Sequence, residues 1–304
     1  SAWPPSTPSA RGEVGLIVTG GIAPNERGRP MKGGAMMVNE HEADQHRIVT
    51  QAVHAEGGKI AMQILHFGRY AYQPGLVAPS ALQAPINPFV PHALTGDEVE
   101  QTIEDFVRCA ALAQHAGYDG VEVMGSEGYL INEFIAKQTN QRDDEWGGSY
   151  ENRIRFAVEV AKATVDAIGA ERVGMRISPY GVFNGQLSDA DMDAMYLDLI
   201  KELNALGLLY IHIVDHSAMG APEVSPELKS AIRTSFTGQY ILSGGYDVAR
   251  ANADLDAQRG DLVAFGRPFI SNPDLVAKLA SGQHLVEPDS STFYTPGEKG
   301  YTDY

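Results

Sequence analysis

Cysteine is almost missing from this chain of 304 residues: Cys109 is the only one. An intramolecular disulfide is therefore impossible, and so is a four-cysteine iron–sulfur or zinc centre. Long apolar runs are missing too, since none reaches the roughly 18 residues that a membrane span requires. No basic segment followed by an apolar one opens the chain, so a secretory leader is not expected, and a reducing cytoplasm is the expected location. Positive charge is scarce, with 23 Lys and Arg against 39 Asp and Glu and a formal net charge of −16. Such a surface repels nucleic acid and anionic lipid, and neither is expected as a partner. Any phosphate bound here has to be met by local arginine or backbone N–H groups.

What is present is a regular alternation of strand-like and helix-like segments in a chain with 43% hydrophobic residues. Strands are predicted over Gly15–Gly21, Lys59–His66, Gly120–Ser126, Arg172–Ser178, Leu209–Val214, Tyr240–Ser243 and Leu262–Phe265. Helices are predicted over 42–56, 96–115, 152–168, 188–206 (Ser188 as N-cap), 226–234, 248–258 and 272–280. Alternation of this kind argues a parallel sheet, and an unbroken series argues a TIM-type (β/α)8 barrel, of which seven βα units are recognisable. The whole chain, 1–304, reads as a single α/β domain. It carries a Pro-rich insertion at about 67–95, too long for an ordinary βα loop, and a polar tail at about 283–304.

Several strand ends carry chemistry. Gly120 to Val123 is apolar and gives way to Met124-Gly-Ser-Glu-Gly-Tyr129, which places a phenol beyond a buried strand. With a pKa near 10, a phenol stays protonated at neutral pH and can still protonate a carbanion. The alternative is a tyrosine that anchors a loop. Phe265-Gly-Arg267 reads as a phosphate cradle, because Gly266 lets the backbone approach an anion and Arg267 supplies a forked donor. Ser243-Gly244-Gly245, at the end of the preceding strand, fits the barrel rule that phosphates sit over the last two strands. Glycines there also serve strand–helix packing. Gln63 and Arg176 interrupt apolar strands, and each needs a polar partner inside the barrel.

Val121 to Phe134, followed by Thr139-Asn-Gln-Arg-Asp-Asp-Glu-Trp-Gly-Gly-Ser-Tyr-Glu-Asn-Arg153, resembles the old yellow enzyme family of flavin enzymes. The version Met-Gly-Ser-Glu-Gly-Tyr-Leu-Ile-Asn is most similar to its 2,4-dienoyl-CoA reductase branch. The resemblance implies an FMN-bearing barrel fed by NADH or NADPH, in which an activated C=C bond of an enone or an enoyl thioester receives hydride and Tyr129 gives the proton. It also implies that Gln63 and Arg176 hold the flavin ring, with Gly21 and Ala23 close to its face. Ser243, Gly244, Gly245, Gly266 and Arg267 would hold the phosphate. On the substrate side Met124 and Glu127 stand where the ene-reductase branch has a carbonyl-holding His/Asn pair, so His216 is the candidate for polarising the carbonyl. Phe293 and Tyr294 match aromatics that close over the site. An oligomer is compatible with the family.

Two features depart from the family. No segment before Gly15 matches the N-terminal strand that ends in Pro-Met-Thr. Up to about Ile168 the motifs resemble the dienoyl-CoA reductase branch, whereas Gly174-Met-Arg-Ile-Ser-Pro-Tyr and Phe265-Gly-Arg-Pro-Phe resemble the ene-reductase branch. Both departures keep a second expectation open: a mosaic or fragment that binds flavin poorly and serves only as a scaffold. Bound yellow flavin in the purified protein separates the two. A phosphate-handling barrel lyase or isomerase is a third reading, but no Schiff-base lysine stands at a strand end to support it.

Overall fold

The computed structural model describes residues 13–186, 189–293, 298–300 and 303. In chain order its elements are β1 (Ile17–Val18), α1 (Glu40–Ala55), β2 (Ile60–Ile64), β3 (Val77–Ala78), β4 (His92–Ala93), α2 (Gly96–His115), β5 (Gly120–Gly125), α3 (Leu130–Ile135) and α4 (Tyr150–Ile168). They continue as β6 (Val173–Ile177), α5 (Met192–Ala205), β7 (Tyr210–Val214), α6 (Pro226–Ser235), β8 (Gln239–Ser243), α7 (Val248–Asp256), β9 (Leu262–Val263), α8 (Arg267–Ser271) and α9 (Leu275–Ser281). Local chemistry marks the helix starts. Thr95 and Glu98 form a reciprocal capping box at α2, while Asn39, Ser149, Ser225 and Asp247 cap α1, α4, α6 and α7. Each such cap is worth about 1 kcal/mol. The predicted cap Ser188 lies outside the described residues, and α5 begins at Met192.

Seven strands form one curled parallel sheet in the order β1-β2-β5-β6-β7-β8-β9. This is the barrel architecture with the predicted units in the predicted sequence. Among the described residues β1 and β9 do not pair with one another, so the sheet is open between them. Residues 1–12, most of the segment before Gly15 in which no first strand was recognised, lie outside the described residues. The 67–95 excursion carries a small parallel pair, β3 with β4.

The period-2 alternation of the strands sorts side chains between two environments. Val121, Val123, Val173, Met175, Ile177, Ile211 and Ile213 join the apolar layer beneath the helices, where Phe156 touches Phe134 at 4.3 Å between ring centroids. The alternate set carries the interior polar residues Gln63, Glu122, Arg176, Tyr210 and His212. Parallel register sets Gln63 beside Glu122 and Arg176 beside His212. Gly174 makes room for this layer, because a Cβ there would overlap the Tyr210 ring.

Candidate active site

A buried polar chain fills the barrel interior. The Gln63 amide donates to Glu122 Oε1 at 2.8 Å, and the Tyr210 hydroxyl donates to Oε2 at 3.1 Å. His212 Nδ1 lies 2.9 Å from the same Oε2, and its Nε2 lies 3.0 Å from Ser243 Oγ, which in turn donates to Ile213 O. Glu122 is fully buried. Burial alone would raise its pKa, but the charge and hydrogen bond of His212, the Arg176 charge and the Gln63 amide outweigh it and hold the carboxyl well below the usual range. His212 is thus a partnered interior histidine, as its position in the strand suggests.

At the C-terminal end of the strands, Ser126-Glu127-Gly128 turns sharply to deliver Tyr129. Glu127 and Gly128 both adopt the left-handed backbone region, with φ of 61° and 76°. Gly128 is required there, since a Cβ would lie 2.6 Å from Asn184 Cβ and 2.7 Å from Phe183 O. The turn is tied down by the Glu127 N–H donating to Ser178 Oγ (3.0 Å), by the Gly128 N–H donating to Asn132 Oδ1 (2.8 Å), and by Asn184 Nδ2 donating to Glu127 O (2.7 Å). Tyr129 then stands at the N-cap of α3, half-buried, its ring packed edge-on against Phe67 at 4.8 Å.

The Glu127 carboxylate bridges two of the predicted site residues, with Arg176 Nη2 at 2.8 Å and His216 Nε2 at 3.2 Å. Burial pushes its pKa up, while the His216 hydrogen bond and the Arg176 charge pull it further down, leaving the carboxyl below its ordinary value. Phe183 packs edge-on against His216 at 4.5 Å. Met124 is buried beside Arg176 in register, with Ser126 Oγ donating to its sulfur at 3.2 Å. Glu127, Arg176 and His216 therefore meet, with Tyr129 two residues from Glu127.

The phosphate-cradle candidates lie at the ends of β8 and β9. Gly244 and Gly245 take φ of +118° and +64°, and a Cβ on Gly244 would overlap the Asp215 backbone, so the pair has to be glycine. Gly266 has open space where a Cβ would stand, and Arg267 is exposed at the first turn of α8. Among the described residues no ion pair or hydrogen bond holds the Arg267 guanidinium, whereas Arg250 is committed to Gly244 O and the Tyr246 ring. A groove of about 390 Å³, lined by Tyr246, Phe265, Pro268, Leu279 and Leu285 among others, adjoins this cradle. Ser243 Oγ is spent on the interior chain and its carbonyl accepts the Asp215 N–H within the β7–β8 pairing, so the predicted phosphate role of this residue finds no free side-chain donor.

The remaining candidates are less distinctive. Gly21 is required by packing, since a Cβ there would lie 2.8 Å from Leu65 side-chain atoms, and Ala23 is buried in a backbone bridge to Met36. Phe293 follows the short turn at 290–292, and Tyr294 lies outside the described residues. Sequence reasoning passed over Asn184, Ser178 and Phe183, which shape the Tyr129 turn and the His216 pocket. The Phe-Asn-Gly run at 183–185 carries a turn signal that points to Asn184, whose φ is 57°.

The structure offers a fit for a flavin mononucleotide on its own terms. Arg176 Nε and His216 Nδ1 are buried without a hydrogen-bond partner, and a glycine-lined cradle stands at the last two strands beside Arg267, which is unpaired among the described residues. Together with the parallel curled sheet, this defines a flavin-binding α/β-barrel oxidoreductase. The chain belongs to the NADH:flavin oxidoreductase / NADH oxidase family, whose sequence profile matches residues 6–285. It is 36% identical over 327 residues to a probable flavin mononucleotide-dependent alkene reductase of Leishmania infantum, covering 97% of this chain and 86% of that protein. A 12-oxophytodienoate reductase of Oryza sativa is 37% identical over 312 residues, covering 97% of this chain and 81% of that one. The solved structure of morphinone reductase superimposes with a TM-score of 0.93 at 37% identity, covering 98% of this chain and 85% of the other. An old yellow enzyme homologue from Zymomonas mobilis superimposes at 0.91 with 32% identity, covering 98% and 88%. FMN is the cofactor of this class and NAD(P)H its donor.

Proposed function

We propose that this chain is an ene reductase in which Tyr129 protonates the α carbon of an α,β-unsaturated carbonyl compound or an enoyl or dienoyl thioester. The observation that carries the reading is the delivery of Tyr129 to the strand ends beside the Glu127–Arg176–His216 cluster. Bound FMN would supply the hydride-transfer chemistry, from NAD(P)H to the β carbon of the substrate. The protein's own part is to hold the ring and phosphate and to move one proton.

Arg176 and Gln63 would hold the flavin ring, and Gly244, Gly245, Gly266 and Arg267 its phosphate. At the α carbon the Tyr129 O–H bond breaks and a C–H bond forms, after which solvent restores the phenol proton. His216 would polarise the substrate carbonyl through Nδ1, since Nε2 is engaged by Glu127. A donor role for Nδ1 requires the doubly protonated ring, because Nε2 also needs its proton to bond the Glu127 carboxylate.

The set Met124, Glu127, Tyr129 and His216 is similar to that of the dienoyl-CoA reductase branch, which favours a thioester. The names of the relatives point instead to enone substrates such as 12-oxophytodienoate. The change of motif flavour near residue 170 is compatible with a mosaic of the two branches. The strongly acidic surface favours small molecules over nucleic acid or membranes as partners, consistent with a cytoplasmic enzyme. No helix among the described residues is long and apolar enough to cross a membrane.

The test is NADPH- or NADH-dependent loss of the conjugated C=C absorbance of a simple enone and of a dienoyl thioester by the FMN-loaded protein. Turnover of either supports the reading. Absence of both, with FMN bound and reducible, refutes it.

A further inference from the structure

We propose that Glu133 is a positioning residue that clamps the 66–70 turn onto the start of α3 and so fixes the Tyr129 phenol for proton transfer. The inference rests on the proposed role of Tyr129 and concerns a side chain outside the site described above.

Glu133 lies one helical turn after Tyr129, its N–H donating to Tyr129 O at 2.8 Å. Its side chain is fully buried. Oε1 accepts the backbone N–H of Arg69 at 2.9 Å, whereas Oε2 has no hydrogen-bond partner. The 66–70 turn is shaped to receive this carboxyl. Gly68 has a φ of +58°, and a Cβ there would run into both Glu133 oxygens. The Gly68 N–H donates to His66 Nδ1 at 3.1 Å, and His66 O accepts the Leu130 N–H at 3.0 Å. Phe67, the ring packed against Tyr129, sits in this same turn. The turn and the tyrosine are thus joined by one backbone bond, one ring contact and the Glu133 carboxyl.

The clamp also reaches the other site residues. Arg69, whose backbone Glu133 holds, is itself buried and donates from Nη2 to Asn184 O at 3.0 Å. Asn184 in turn fixes the Glu127 carbonyl. Burying a carboxyl costs several kcal/mol unless it is neutral or well paired. Burial raises the Glu133 pKa to about 8, opposed by the Arg69 N–H and the Arg69 charge. The group is therefore a neutral acid near pH 7, and a glutamine would reproduce both its shape and its acceptor. A helix that only needed an apolar filler at this buried position would be served better by leucine.

The test compares Glu133→Gln, Glu133→Leu and Gly68→Ala in the FMN-loaded protein. Three readouts are taken: the two half-reaction rates by stopped flow, hydrogen exchange at the Arg69 amide, and the Tyr129 ring NMR signal, which Phe67 shifts. Glu133→Gln is expected within about threefold of wild type in every readout. Glu133→Leu and Gly68→Ala are expected to speed Arg69 exchange by at least about tenfold and to move the Tyr129 signal. Both should slow the oxidative half-reaction about 10- to 100-fold, the scale for ångström misplacement of a reacting group, with the reductive half-reaction unchanged within about twofold.

The clamp is overturned if Glu133→Leu leaves Arg69 exchange and the Tyr129 signal unchanged, if it slows both half-reactions equally, or if Glu133→Gln is as slow as Glu133→Leu. Gly68→Ala attacks the same contact from the opposite side, so an inert Gly68→Ala overturns it even should Glu133→Leu not fold. A wild type inactive toward enones and thioesters would refute the reductase reading instead. The exchange and ring signals would still decide whether the clamp exists.

Discussion

Replacing Tyr129 with Phe removes one oxygen and keeps the ring. That ring is half-buried against Phe67, and an edge-on pair at 4.8 Å does not depend on the hydroxyl. The turn that delivers the residue is held by backbone bonds and by Ser178, Asn132 and Asn184, and none of these bonds involves the phenol oxygen. The variant should therefore lose no more than about 1.5 kcal/mol of stability, the net scale of one hydrogen bond. Reduction of the bound flavin by NAD(P)H requires no proton from this group, and its rate should stay within about twofold. Reaction with the unsaturated substrate does require the α carbon to be protonated. General acid catalysis contributes about 10²–10⁴-fold, or about 2.7–5.4 kcal/mol of barrier. Stopped-flow measurement of flavin absorbance separates the two halves, and only the second should slow by that factor. Equal slowing of both halves would show Tyr129 to be a structural or binding residue and refute the assignment.

Arg267→Ala should weaken FMN binding more than any other single arginine change, because Arg267 combines an exposed guanidinium with the glycine cradle, whereas Arg250 is already committed to Gly244 O; equal FMN retention on gel filtration would contradict this. FMN at 100 times its Kd should raise stability by about 2.7 kcal/mol through mass action, seen as a higher Tm, and an unmoved Tm would mean that no competent site forms. Phe156→Ala, at the centre of the ring cluster with Phe134, Phe106 and Trp146, should cost about 3–5 kcal/mol in denaturant unfolding. Glu133→Gln should gain stability relative to wild type as pH rises. The folded carboxyl titrates near 8 and an unfolded one near 4.5, so the wild-type contribution is intact below about 4.5 and is lost as pH rises through 8. The gap, at most about 5 kcal/mol at 1.36 kcal/mol per unit, should open across that window, and a pH-independent gap would contradict it.

Much of this protein was legible in one dimension, for reasons that are local. β-branched runs interrupted by periodic runs dictate strand then helix, and the repetition of that unit dictates a parallel sheet curled under helices. The turn at Gly244-Gly245 was legible because glycine alone takes its positive φ readily, and Arg267 stood out against the acidic background; the phosphate role of both is a proposal. Tyr129 was legible because an apolar strand ended in a polar turn, and its family resemblance was specific.

Other features depended on strands distant in sequence. That Gln63 would give its amide to Glu122, and that Ser243 would serve His212, follows from parallel register between β2 and β5 and between β7 and β8, which no local pattern encodes. Arg176 read as a residue that needs a polar partner, but only the fold shows that the partner is the Glu127 carboxylate on the neighbouring strand end. No helix was predicted over 130–135, and the sequence assigned no role to Glu133. Burial beneath the Gly68 turn, far earlier in the chain, made it a neutral acid with a backbone partner, because only tertiary packing removes water from a carboxyl and sets its charge.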